Sequence, residues 1–138
     1  MSVTAKKQEN SNETVALLYK DFANLKTFVF YVSEESAFFM KLLSAKVYRS
    51  ETPNLYEKLK KFITKVEKTK TEAENWNSAL EEHKDQIRLL LGDQNRNPKD
   101  FYENEHIKLK EQVLAFINDS NNLKLDIFRF TGDLLLTE

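Results

Sequence analysis

Cysteine is absent, which removes disulfides, thiolate metal sites and a cysteine nucleophile together and fits a reducing compartment. Two glycines and two prolines among 138 residues leave too little turn chemistry for a many-stranded sheet, so the composition points to an all-α chain. No charge of one sign predominates: 21 Lys and Arg stand against 22 Asp and Glu. The field that draws a protein onto nucleic acid or an anionic membrane is therefore missing, and neither partner is expected. Long apolar runs are missing too. The most apolar stretch is cut by Ser33-Glu34-Glu35-Ser36, short of the roughly 20 residues a membrane helix needs. The polar start, residues 1–12, has no apolar core of a secretory signal and is expected as a disordered tail. These features predict a cytoplasmic protein with one domain over residues 13–138.

What is present is helical periodicity. Apolar residues recur at alternating steps of three and four through Val15, Leu18, Phe22, Leu25, Val29, Val32, Ser36, Phe39 and Leu43, the seam of a long amphipathic helix. Thr52-Pro53 ends that helix, because the residue before proline is disfavoured in the α region. A second seam runs without a missed step through Leu55, Leu59, Phe62, Val66, Thr69, Ala73, Trp76, Leu80, His83, Ile87 and Leu90. Gly92 to Pro98 is a turn, with glycine after a helix end and proline at the next helix start. The third seam is Tyr102, His106, Leu109, Val113, Phe116, Ser120, Leu123, Ile127, Phe130 and Leu134.

Three helices over about 13–50, 54–91 and 98–135, joined by short turns, must run up, down and up. Facing residues then have numbers summing to about 105 between the first two helices and about 189 between the last two. That register stacks Leu80 on Leu25 and Leu109, Val66 on Phe39 and Leu123, small Ala73 on Val32 and Phe116, and Trp76 on Val29 and Val113. Large residues oppose smaller ones, as close packing requires. Lys46 takes a seam position, laying its stem on the core with its amine in water. The arrangement resembles spectrin-type repeats and other helical adaptors in topology alone, and topology carries no function.

Two layers break the apolar pattern. Ser36, Thr69 and Ser120 fall at one level near mid-bundle with Glu35 beside them. The structural account is hydroxyls bonded to one another or to the preceding turn; the functional one is a small polar pocket with Glu35 as its carboxylate. No base and nucleophile pair accompanies them, so the chain is expected not to be an enzyme. The only two histidines, His83 and His106, share another layer opposite Phe22, surrounded by Asp21, Glu82, Glu103 and Glu105. Glu103 and His106 have the i, i+3 spacing by which carboxylate bundles aim two ligands inward, so a zinc, iron or manganese site is the alternative reading. Leu80 stands where a second such motif needs a glutamate, leaving half a motif.

The outer faces carry more apolar residues than three helices can cover. Helix two is charged away from its seam, with Lys58, Lys60, Lys61, Lys65, Lys68 and Lys70 interrupted by glutamates, the pattern of a solvated face. Helix one instead adds Leu17, Phe30, Tyr31 and Phe38. Helix three adds Ile107, Leu114, Phe128 and Leu135 at heptad intervals, with Ile117 and Leu125 nearby. The first and third helices are parallel neighbours, so these stripes can merge into one coiled-coil-like patch. A patch of this kind marks a homodimer or a helical protein partner. A third possibility is a small apolar ligand beside Phe30, Tyr31 and Phe38, with Glu35 as its polar contact.

Overall fold

The computed structural model describes residues 2–45, 53–90 and 96–134, with side chains placed for 12–45, 53–90 and 96–133. Helix α1 is Ser2–Leu43 and α2 is Leu55–Leu90. A short α3, Pro98–Phe101, passes through a π turn, Tyr102–His106, into α4, Ile107–Leu134. The residues joining α3 to α4 keep right-handed helical dihedrals, so the last three elements form one rod. The result is a three-helix bundle, and the described residues contain no strand. No helix among them is long and apolar enough to cross a membrane.

Local chemistry sets the ends. At the start of α3, Asn97 accepts the Lys99 amide at 2.9 Å and Pro98 occupies the first helical position, which needs no amide proton. Asn54 sits at φ 57° before α2, a left-handed position that asparagine tolerates, and its carbonyl accepts the Lys58 amide. Helix α1 ends at Leu43, and Ala45 tightens the turn by bonding back to Leu42. The expected continuation to residue 50, the Lys46 position and the turn from Gly92 to Asn95 lie outside the described residues. At its other end α1 begins at Ser2, where a disordered tail over 1–12 was expected. Ala5, Lys6, Lys7, Gln8 and Glu9 favour helix individually, and no glycine or proline stops propagation from the packed part of α1.

Both registers hold. Lys26 of α1 reaches Asn77 and Glu81 of α2, which run antiparallel to it. His83 meets His106 at the expected level, so α2 and the third rod are antiparallel as well. Helix α1 and α4 are parallel: Lys110 meets Asp21, Lys124 meets Glu35, and Phe128 meets Phe39, each pair 89 residues apart. The core falls into three clusters. The central one holds Leu25, Val29, Val32, Ala73, Leu80, Val113 and Phe116, with Trp76 and Leu109 packed against it. One end holds Phe39, Leu43, Leu55, Leu59, Val66 and Ile127, and the other Leu18, Ile87, Leu90 and Phe101. The gaps between clusters are the hydroxyl layer and the histidine layer.

The third seam differs from expectation at one point. Phe101 is buried and Tyr102 only half-buried, although the spacing assigns the seam to Tyr102. A π turn holds one more residue than an α turn. It therefore slips the helix phase by one residue, and the step from Phe101 to His106 spans five.

Candidate functional site

Asp21 of α1, His83 of α2 and His106 of the π turn form a continuous row. His106 Nε2 lies 2.9 Å from Asp21 Oδ2, and His106 Nδ1 lies 2.8 Å from His83 Nε2. The two imidazole planes are tilted by 19° and their centroids are 5.0 Å apart. With the nitrogens only 2.8 Å apart, that separation describes rings meeting edge to edge in a common plane, not rings stacked face to face. The carboxylate can only accept, so His106 donates from Nε2 and offers Nδ1 as an acceptor to the Nε2–H of His83. Lys110 Nζ donates to the same Asp21 oxygen at 3.2 Å. Rings of Phe101 and Tyr102 lie 5.1 Å from His83 and from His106 respectively, shielding the row.

Burial decides the charges. His106 is fully buried and His83 and Asp21 nearly so. Desolvation, helped by the neighbouring His106, pulls the His83 imidazole down to about 4. Desolvation also lowers His106, outweighing the favourable bond and charge of Asp21. Burial alone would raise the Asp21 carboxyl, but the bonds from His106 and Lys110 outweigh it and hold the group below its usual range. Near neutral pH the row is one carboxylate, two neutral imidazoles and the Lys110 ammonium. The row is an acid–base chain running from carboxylate through one imidazole to the other.

The arrangement divides the residues of the metal alternative. His83, His106 and Asp21 are brought together, but both nitrogens of His106 are committed to neighbours, and Glu82 and Glu103 are exposed. Among the described residues no three His, Asp or Glu side chains converge as ligands for zinc, iron or manganese. Spacing placed Glu103 one turn before His106, and the π turn alters that phase.

The hydroxyl layer assembles as expected, around a cavity of about 20 Å³, room for one water. Each hydroxyl donates to its own helix: Ser36 to the Val32 carbonyl at 2.7 Å, Thr69 to Lys65 at 2.9 Å and Ser120 to Phe116 at 2.9 Å. Their remaining lone pairs line the cavity, and Glu35 pairs with Lys124 at 2.9 Å on its rim. Phe30 lies four residues from Lys26, on the flank turned to α2, whereas Tyr31 and Phe38 share the α4 flank with Glu35. Phe30 and Tyr31 meet at the edge between these flanks, their ring centroids 6.1 Å apart.

The outer face of α1 and α4 is apolar and open. Leu17 is 40 % exposed, Tyr31 and Phe38 each 55 %, Leu114 41 % and Phe128 48 %, while Ile107 is half-buried. Leu135 lies outside the described residues. Phe30, 58 % exposed, lies toward the α2 flank with its ring centroid 6.1 Å from that of Tyr31. Phe28 and Leu125, also exposed, take part in it. Phe28 stands seven residues before Glu35, a spacing that marks the same flank once the neighbour of Glu35 is known. Tyr31 sits level with Ser120, and Phe128 packs its edge on Phe39 at 5.4 Å. No protein-family model, no curated protein and no solved structure matches the chain.

Proposed function

We propose that the chain is a non-enzymatic helical interaction module that self-associates or docks a helical partner through the outer faces of α1 and α4. The observation that carries this reading is the surplus of rings on one side of the bundle. Three apolar clusters already fill the interior, yet Phe28, Tyr31, Phe38, Leu114, Leu125 and Phe128 remain exposed on two adjacent parallel helices. Contiguous apolar surface of this kind is rare on a protein that works alone.

The test is native mass spectrometry of the wild type and of a Phe38→Lys/Leu114→Lys variant, with circular dichroism on both. The expected result is a wild-type dimer and a folded monomeric variant. A wild-type monomer leaves only the helical partner. An unfolded variant shows that these side chains belong to the core, and the reading falls.

A further inference from the structure

Helix α4 carries a second heptad seam on the side away from its core: Ile107, Glu111, Leu114, Asn118, Asn121, Leu125, Phe128 and Gly132, at alternating steps of four and three. All but Ile107 are exposed. This stripe reads almost the same in both directions. When two such helices run antiparallel, facing residues have numbers of constant sum, and one choice of that sum satisfies the whole seam. Leu114 then meets Leu125 of the second copy, Asn118 meets Asn121, and Glu111 meets Phe128 with Arg129 one residue on. Among the described residues neither Glu111 nor Arg129 enters an ion pair within the chain.

Gly132 supplies a separate observation. Glycine inside a helix is unfavourable relative to alanine, and a methyl group added there meets nothing within 4 Å. Packing among the described residues therefore gives no reason for it. In the antiparallel register Gly132 faces Ile107 of the second copy, a gap opposite a branched side chain. A parallel pairing would instead set Glu111 on Glu111 and glycine on glycine.

Helix α1 agrees independently. The two-fold that generates the α4 pairing lies between Asn118 and Asn121, and the constant offset of 89 residues between α1 and α4 places the step from Phe30 to Tyr31 at that level. The same axis then sets Tyr31 level with Phe30 of the second copy, one residue from that copy's Tyr31, and Phe38 level with Ala23. It also sets Leu17 level with Ser44. Resting on the interaction reading above, we infer that the partner is a second copy of this chain, docked through a two-fold axis at Tyr31 and the Asn118/Asn121 layer, with α4 antiparallel to α4 and α1 to α1. The asparagines fix the register, the leucines and rings supply the apolar contact, and Glu111 with Arg129 closes each end.

The chain has no cysteine, so single cysteines report the geometry directly. A short bismaleimide added to Tyr31→Cys should link two copies to each other. Leu114→Cys alone should not link, because its two copies stand about 16 Å apart along the axis at 1.5 Å per residue. A mixture of Leu114→Cys with Leu125→Cys should link as a mixed pair. Self-linking of Leu114→Cys in a dimer overturns the antiparallel register while leaving the interaction reading in place. A wild-type monomer in the native mass spectrum overturns the second copy as partner. The wider reading falls on the separate evidence of an unfolded Phe38→Lys/Leu114→Lys variant.

Discussion

The two polar layers both stand between apolar clusters, yet they bond in opposite ways. In the hydroxyl layer each proton goes to the carbonyl one turn back on the same helix, so no hydrogen bond of Ser36, Thr69 or Ser120 crosses between helices. In the histidine layer every bond crosses: α1 to the π turn, the π turn to α2, and α4 back to α1. Side chains that satisfy themselves locally can be buried wherever a helix needs them, and they leave the helices uncommitted to one another. Side chains whose protons must be met from another helix tie the assembly to one register. The difference follows from chemistry, since a hydroxyl reaches its own backbone and an imidazole in a helix presents both nitrogens outward.

The largest expected effect is at the hub of the tied layer. His106→Ala removes a fully buried ring with partners on two other helices. It leaves a cavity, an unmet donor on His83 and a carboxylate held only by Lys110. We expect a loss of about 3–5 kcal/mol, read from denaturant unfolding. A loss under about 1 kcal/mol would show that the row contributes little and that the two layers are energetically alike.

Acid should act on the same layer next. The folded state depresses His83 from 6.5 to about 4, so below its usual value the unfolded chain binds a proton that the folded chain refuses. Stability is then complete above about pH 6.5 and falls as pH drops toward about 4. At 1.36 kcal/mol per unit this amounts to about 3 kcal/mol. Asp21, depressed below 3.8, adds a further loss only at lower pH. Unfolding free energies collected between pH 7 and pH 4 should show this slope in the wild type and a flatter one in His83→Gln. An equal slope in both would assign the acid sensitivity elsewhere.

Much of this was legible from spacing, and the failures have physical causes. The seams of α1 and α2 and the levels of both polar layers follow from a 3.6-residue period and two short turns, because antiparallel hairpins leave little freedom in register. Phase slip is invisible to that argument: one extra residue in the π turn exchanged Phe101 for Tyr102 and removed Glu103 from the histidines. Flank is invisible as well. Spacing gives the angle of Phe30 from the seam but not which neighbour lies on that side, since this depends on the handedness of the bundle. Asp21 entered the reading as a metal ligand among several acids; its selection as the anchor rests on the parallel offset of α1 and α4, which only the fold supplies.

The smallest expected effect sharpens the comparison most. Ser36→Ala and Ser120→Ala each remove a hydroxyl bonded within its own helix, so each should change stability by at most about 1 kcal/mol. Their double variant should equal the sum of the singles within about 0.5 kcal/mol, because the two hydroxyls make no bond to each other and share only a cavity with room for one water. The corresponding cycle of His83→Gln and His106→Gln joins two groups in direct contact and should show coupling on the order of 1 kcal/mol or more. Coupling of that size between the serines would mean that a water in the cavity bridges them as firmly as a direct bond. The hydroxyl layer would then be a tie between helices too, made through solvent where the histidine layer makes it through rings.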